Sequence, residues 1–166
     1  MKNLILSITA LFITLSVSSQ TIVDAAASNK DFSTLVTALK AADLVGALSG
    51  EGPFTVFAPN NDAFGKIDSE TFSCLLKPEN VGALSNILTY HVVSGKLMAS
   101  DVTKALKDGY GRVKLTALNG QTFVARSKGG KIFLKDQNGD MSQVIATDVV
   151  GTNGVIHVID SVIMPE

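Results

Sequence analysis

The 166-residue chain is poor in the residues that most directly announce chemistry: one cysteine, no tryptophan, two histidines and four prolines. A single cysteine, Cys74, excludes an internal disulfide. The sequence has no Gly-x-Ser-x-Gly elbow, no His-Glu-x-x-His pair and no Gly-x4-Gly-Lys-Ser/Thr loop, so the common hydrolase, zinc-protease and phosphate-loop signatures are missing. It also has no Asn-x-Ser/Thr acceptor for N-linked sugar. Charge of one sign is lacking too: 14 basic residues face 15 acidic ones, for a net charge of −1. Nothing in that balance asks for a nucleic-acid partner.

The longest apolar run, Leu4 to Val17, is broken only by Ser and Thr and falls short of the ~20 residues a spanning helix needs. It follows Lys2, and Val17 and Ser19 stand as small residues three and one before an expected cut between Ser19 and Gln20. Residues 1–19 therefore read as a secretory signal peptide and residues 20–166 as one domain without a membrane span, secreted to an extracellular or periplasmic location. A domain of this size can bury a real core, and 46% apolar against 17% charged residues is a globular balance.

From Asp31, the residues Phe32, Leu35, Val36 and Leu39 fall at helical spacing, and Leu44, Val45 and Leu48 continue the stripe, which predicts an amphipathic helix or helix pair. "FTVFA" (54–58) is apolar on both parities and predicts a central strand covered on both faces. Asn60-Asn61-Asp62 then supplies cap residues for a new helix. A second helical segment begins at Pro78. From Val113 the period changes to two, and Asn119-Gly120, Gly129-Gly130 and Asn138-Gly139 mark turns between the strands of a meander. "SQVIATDVV" and the strongly apolar "VIHVIDSVIM" complete the strands. Helices first and strands later predict an α+β fold.

Candidate chemistry reduces to a few residues. Leu84, Leu88 and His91 lie on one helical stripe, so His91 faces the core with Tyr90 beside it, and His157 sits within a two-faced apolar strand. Both histidines read as structural, and a hydrolase using either is the alternative. Cys74, in "FSCLLK", reads as a small buried hydrophobe. "DQNGD" (136–140) has its glycine fourth where a helix-loop-helix calcium site needs it sixth, and reads as a polar turn. No cofactor or metal is expected. Lys114, Arg126, Lys128, Lys131 and Lys135 share strand parity and are expected on one face or rim of the meander, suited to an acidic polysaccharide or acidic protein.

"TVFAPNNDAF" (55–64), "ILTYHVVSGK" (87–96) and "NGVIHVIDSVIMP" (153–165) together resemble, in order and spacing, the signature stretches of the fasciclin domain. The resemblance covers about Thr21 to Pro165. It implies helices packed around a wedge of about seven mostly antiparallel strands, in secreted or cell-surface proteins that serve adhesion. It also implies partner-contacting roles for Tyr90 and His91, and for Asp148 and Val149 in place of an Asp-Ile pair. The expected partner is an extracellular-matrix or cell-surface protein or an acidic polysaccharide, with the chain a monomer or weak homo-oligomer. A self-associating surface protein is the other alternative.

Overall fold

The computed structural model describes residues 20–166, and the expected signal peptide lies outside the described residues. Helix α1 (Ile22–Ser28) starts at a capping box: Thr21 Oγ1 accepts the Asp24 N–H and the Asp24 carboxylate accepts the Thr21 N–H at 3.0 Å. The stripe beginning near Asp31 becomes a helix pair, α2 (Ser33–Ala41) and α3 (Val45–Ser49), entered through one 3-10 turn at Lys30–Phe32. Strand β1 (Phe54–Pro59) follows, and Asn60 caps α4 (Asn61–Gly65) by accepting the Ala63 N–H at 2.8 Å. Helix α5 (Ser69–Leu75), a 3-10 turn at Pro78–Asn80 and α6 (Val81–Tyr90) lead to a short strand, β2 (Val92–Ser94).

Helix α7 (Ala99–Asp108) then precedes β3 (Arg112–Thr116), β4 (Thr122–Lys128), β5 (Lys131–Lys135), β6 (Met141–Gly151) and β7 (Gly154–Ile159). The seven strands form one sheet in the order β2-β1-β7-β6-β5-β4-β3. All neighbours are antiparallel except β1 and β7, which run parallel from Phe54 opposite Gly154 to Pro59 opposite Ile159. The two ends of the sheet curl back to meet: Val93 bridges Ala117, and the Leu118 N–H reaches the Val92 carbonyl at 2.8 Å. The expected α+β wedge is thus a nearly closed barrel with helices against one side.

Two cores explain why β1 and β7 are apolar on both parities. Val56, Ala58, Ile156 and Val158 face the helical layer with Ile22, Leu35, Leu84 and Leu88, while Phe57 and Ile159 point into the barrel with Tyr90, Phe123 and Leu134. Side chains of successive residues leave a strand on opposite faces, so a strand between two cores must be apolar throughout.

Three expectations need correction. The helical half does not run straight into the meander: β2 and α7 intervene after α6, and α7 buries Val102 and Leu106 one turn apart. "VIHVIDSVIM" is not one strand, because β7 ends at Ile159 and the chain leaves the sheet to seat Ile163 in the barrel core. Cys74 is exposed, not buried, on the outer side of α5, with Asn80 Nδ2 bonding its carbonyl at 2.8 Å.

Candidate functional site

Tyr90 and His91 close α6 and are both buried. The Tyr90 hydroxyl donates to the Thr122 carbonyl at 3.1 Å, and its ring meets Phe123 edge-on at 5.6 Å. His91 Nδ1 lies 2.8 Å from the Ile87 carbonyl, which can only accept, so that nitrogen carries the proton. Nε2 is left to accept the Ile163 N–H at 3.1 Å. Burial pushes the imidazole pKa down to about 4, against a smaller upward pull from the Ile87 bond, so the ring is neutral at pH 7.

His157 repeats the arrangement on β7. Its Nε2 donates to the Leu97 carbonyl at 2.7 Å, Nδ1 accepts the Asp148 N–H at 3.4 Å, and the ring lies 5.5 Å from that of Phe57. Both histidines spend both ring nitrogens on the backbone. Neither has a hydroxyl, thiol or carboxylate among its bonding partners, which is what a general base needs at hand. The periodicity placed both rings inside, and there they are.

Asp148 and Val149 behave differently from one another. Asp148 adopts a left-handed backbone, φ 61°, and its carboxylate accepts the Ala99 N–H at 2.8 Å, tying β6 to the start of α7. Val149 is open to solvent with Ile145 and Val150. This part of β6 pairs irregularly with β7, with register shifts between Val144 and Ala146 and between Ala146 and Val149. "DQNGD" is a turn whose buried Asp136 carboxylate accepts the N–H groups of Asp140 at 2.8 Å and Met164 at 3.1 Å. That carboxylate anchors the chain's end.

The basic residues come together. Strand register places Lys114, Val124 and Lys135 in one row, Arg112, Arg126 and Phe133 in the next, and Lys128 with Lys131 in a third. Residues paired across strands share a face, and so do residues two apart. All five expected cations, with Arg112, therefore occupy the outer face of the meander, while Val113, Leu115, Phe123, Ala125 and Leu134 fill the inner one. Among the described residues the ion pairs are Lys66 with Asp160 and Lys77 with Glu79, neither of which involves a cation of this face.

Sequence reasoning missed Tyr110. It stands between Gly109 and Gly111 at the turn from α7 to β3, has φ 53° and is 99% exposed. A cleft of about 340 Å³ opens beside it, lined by Tyr110, Arg112, Arg126, Ser127, Lys128 and Met141. The available signal was an aromatic inside "DGYGR", a glycine-flanked loop running into the basic strands.

A family model described as Fasciclin domain matches residues 30–165. Protein sll1483 of Synechocystis sp. is 49% identical over 148 residues, covering 89% of this chain and 75% of that protein. Human periostin is 35% identical over 141 residues, covering 82% of this chain but only 15% of periostin. Among solved structures, a FAS1 domain pair from the insect cell adhesion molecule Fasciclin I superposes with a TM-score of 0.58 at 22% identity, covering 78% of this chain and 43% of that one. The fold, the signature stretches and the family match agree, and the chain belongs to the fasciclin domain family.

Proposed function

We propose that this chain is a secreted binding module that attaches to an extracellular-matrix or cell-surface component and performs no catalysis. The observation that carries the reading is a division of polar residues. Both imidazoles are consumed inside the fold, while six cations stand on one outer sheet face with no acidic partner. A face of one charge raises the local concentration of opposite charge and steers its approach. Lysines on an edge strand serve to block sheet-to-sheet aggregation. Arg126 and Lys135 have paired neighbours on both sides, so that explanation does not reach them; it covers Arg112 and Lys114 on β3 and Lys128 and Lys131, which project past the paired parts of β3 and β6. Family kinship supports an extracellular role, and no helix among the described residues is long and apolar enough to cross a membrane.

The test is retention of the Gln20–Glu166 chain on extracellular-matrix or cell-surface material. Retention is expected for the wild type and is expected to fall for Lys128→Glu/Lys131→Glu. Equal retention of both chains would remove the basic face from the reading. Turnover of ester, peptide or glycan substrates that disappears in a folded His91→Ala chain would replace it with the hydrolase alternative.

A second reading rests on β6, where Ile145, Val149 and Val150 are apolar side chains exposed to solvent. Self-association there predicts a mass that rises with concentration in light scattering and stays monomeric in Val150→Lys.

A further inference from the structure

Two rows of the meander break a rule of sheet construction. Arg112 stands directly opposite Arg126, and Lys128 directly opposite Lys131. Cross-strand partners sit about 5 Å apart at Cβ, and like charges at that distance destabilise a sheet. No acid among the described residues compensates either pair within ion-pair distance. Sequences that violate a local rule without internal compensation do so most often at functional sites.

Three of these four cations line the cleft beside Tyr110. Its volume of about 340 Å³ lies in the ~300–1,000 Å³ range of small-ligand sites. Arg126, which lines the cleft, has a buried Nε without a hydrogen-bond partner among the described residues. A buried N–H without a partner is costly, and a guanidinium is shaped to hold a carboxylate or sulfate through paired N–H groups. Tyr110 offers a ring almost wholly in solvent, held there by a left-handed backbone between two glycines. An exposed aromatic next to a cationic cleft provides an apolar platform and an anion site within one ligand's reach.

We infer that the Tyr110–Arg112–Arg126–Lys128 cleft is a subsite for an acidic polysaccharide, the ring stacking on a sugar face and the cations holding its carboxylate or sulfate groups. The inference rests on the binding-module reading above and names its ligand class. Lys131, Lys114 and Lys135 extend the cationic track across β5 and back to β3, so a linear chain, not a lone sugar acid, fits the whole face. An acidic peptide would use the cations but has no need of the bare ring at position 110. A neutral glycan would use the ring but not the cations.

The probes are alginate for carboxylate, dextran sulfate for sulfate, dextran as the neutral control and polyglutamate as the acidic peptide, each tested against the full Gln20–Glu166 chain by affinity electrophoresis. Binding to alginate or dextran sulfate, weakened at high salt and absent with dextran, is expected. Arg112→Gln/Lys128→Glu should lose at least tenfold. Tyr110→Ala should lose severalfold on the glycans and nothing on polyglutamate. Melting temperatures of both variants verify folding, since the changed side chains lie at the surface. Glycan binding equal to wild type in both variants overturns the inference, as does polyglutamate binding as tight as glycan binding with no dependence on Tyr110. Wild-type retention on matrix or cell-surface material without any acidic-glycan binding sinks this inference alone, and loss of both sinks the binding-module reading with it.

Discussion

The side chain of His91 accepts the backbone N–H of Ile163 at 3.1 Å, joining the end of α6 to the segment beyond the last strand across 72 positions of sequence. The same residue's carbonyl accepts the Phe57 N–H at 2.9 Å, so one histidine fastens a helix, β1 and the chain's end. Replacement by alanine leaves the Ile163 donor buried without a partner, which costs about 1–3 kcal/mol. Urea denaturation of His91→Ala should show that loss through a lower midpoint at an unchanged slope. Stability equal to wild type would refute the fastening role.

Acid should weaken the fold through the same ring. Unfolded, His91 ionises near pH 6.5, whereas folded it stays neutral down to about 4. Between those values the unfolded chain binds more protons, so stability declines as pH falls from 6.5 towards 4, by about 3 kcal/mol in all from this group. Above that window and below it, His91 contributes no slope. Denaturation measured at pH 7.5 and 4.5 should show the difference, and His91→Asn should remove most of it.

Asn153 should matter nearly as much, although it lies half-buried in the turn between β6 and β7. Its Oδ1 accepts the Ile22 N–H at 2.9 Å, and its Nδ2 donates to the carbonyls of Leu48 at 2.8 Å and Gly50 at 2.9 Å. Asn153→Ala removes all three bonds and is expected to cost about 2–3 kcal/mol. Asn153→Asp keeps the acceptor, loses the donors and should fall between. The ranking of the three midpoints checks this.

The neighbouring Gly154 is required for close approach. A Cβ there would run into the Phe54 carbonyl oxygen on the parallel partner strand, where backbone cannot move aside cheaply. Gly154→Ala should destabilise by about 1–3 kcal/mol. A thermal melt indistinguishable from wild type would contradict it.

The basic face predicts a change of the opposite sign. Lys131→Glu turns a like-charge pair with Lys128 into an attractive one and should stabilise the chain by about 0.2–1 kcal/mol at low salt, with the gain shrinking as salt rises. A variant that melts higher yet binds less separates binding from folding.

The stretches that made this family legible are those where one residue serves several elements. Asn60 caps α4, Asn61 accepts the Thr34 N–H at 3.1 Å while donating to the Lys30 carbonyl at 2.9 Å, and Thr55 links β1 to the Gly95 carbonyl and the Leu97 N–H. Such hubs tolerate few residue types, so they read clearly as sequence but report on architecture. His91 and His157 are legible as buried from periodicity, the first on the Leu84–Leu88 stripe and the second within a strand apolar on both faces. The shared face of the lysines followed from a period of two, which register on β3 to β5 preserves. Helix α7 was not read, because only Val102 and Leu106 mark its core side and lysines surround them. The Cys74 environment was misjudged because apolar sequence neighbours on a short helix do not fix which way each side chain turns. Tyr110 escaped notice because an aromatic set among glycines has no period at all.

Among the described residues the only parallel strand pairing joins β1 to β7, and β7 also separates β1 from β6. β1 and β7 lie side by side but stand roughly a hundred residues apart in sequence, so a long loop must close before they pair, a topology that slows folding. Until residues 154–159 have left the ribosome, β1 has no partner but the three-residue β2. The β3–β6 meander can pair locally, whereas the seam that joins it to β1 and the helical layer waits for β7.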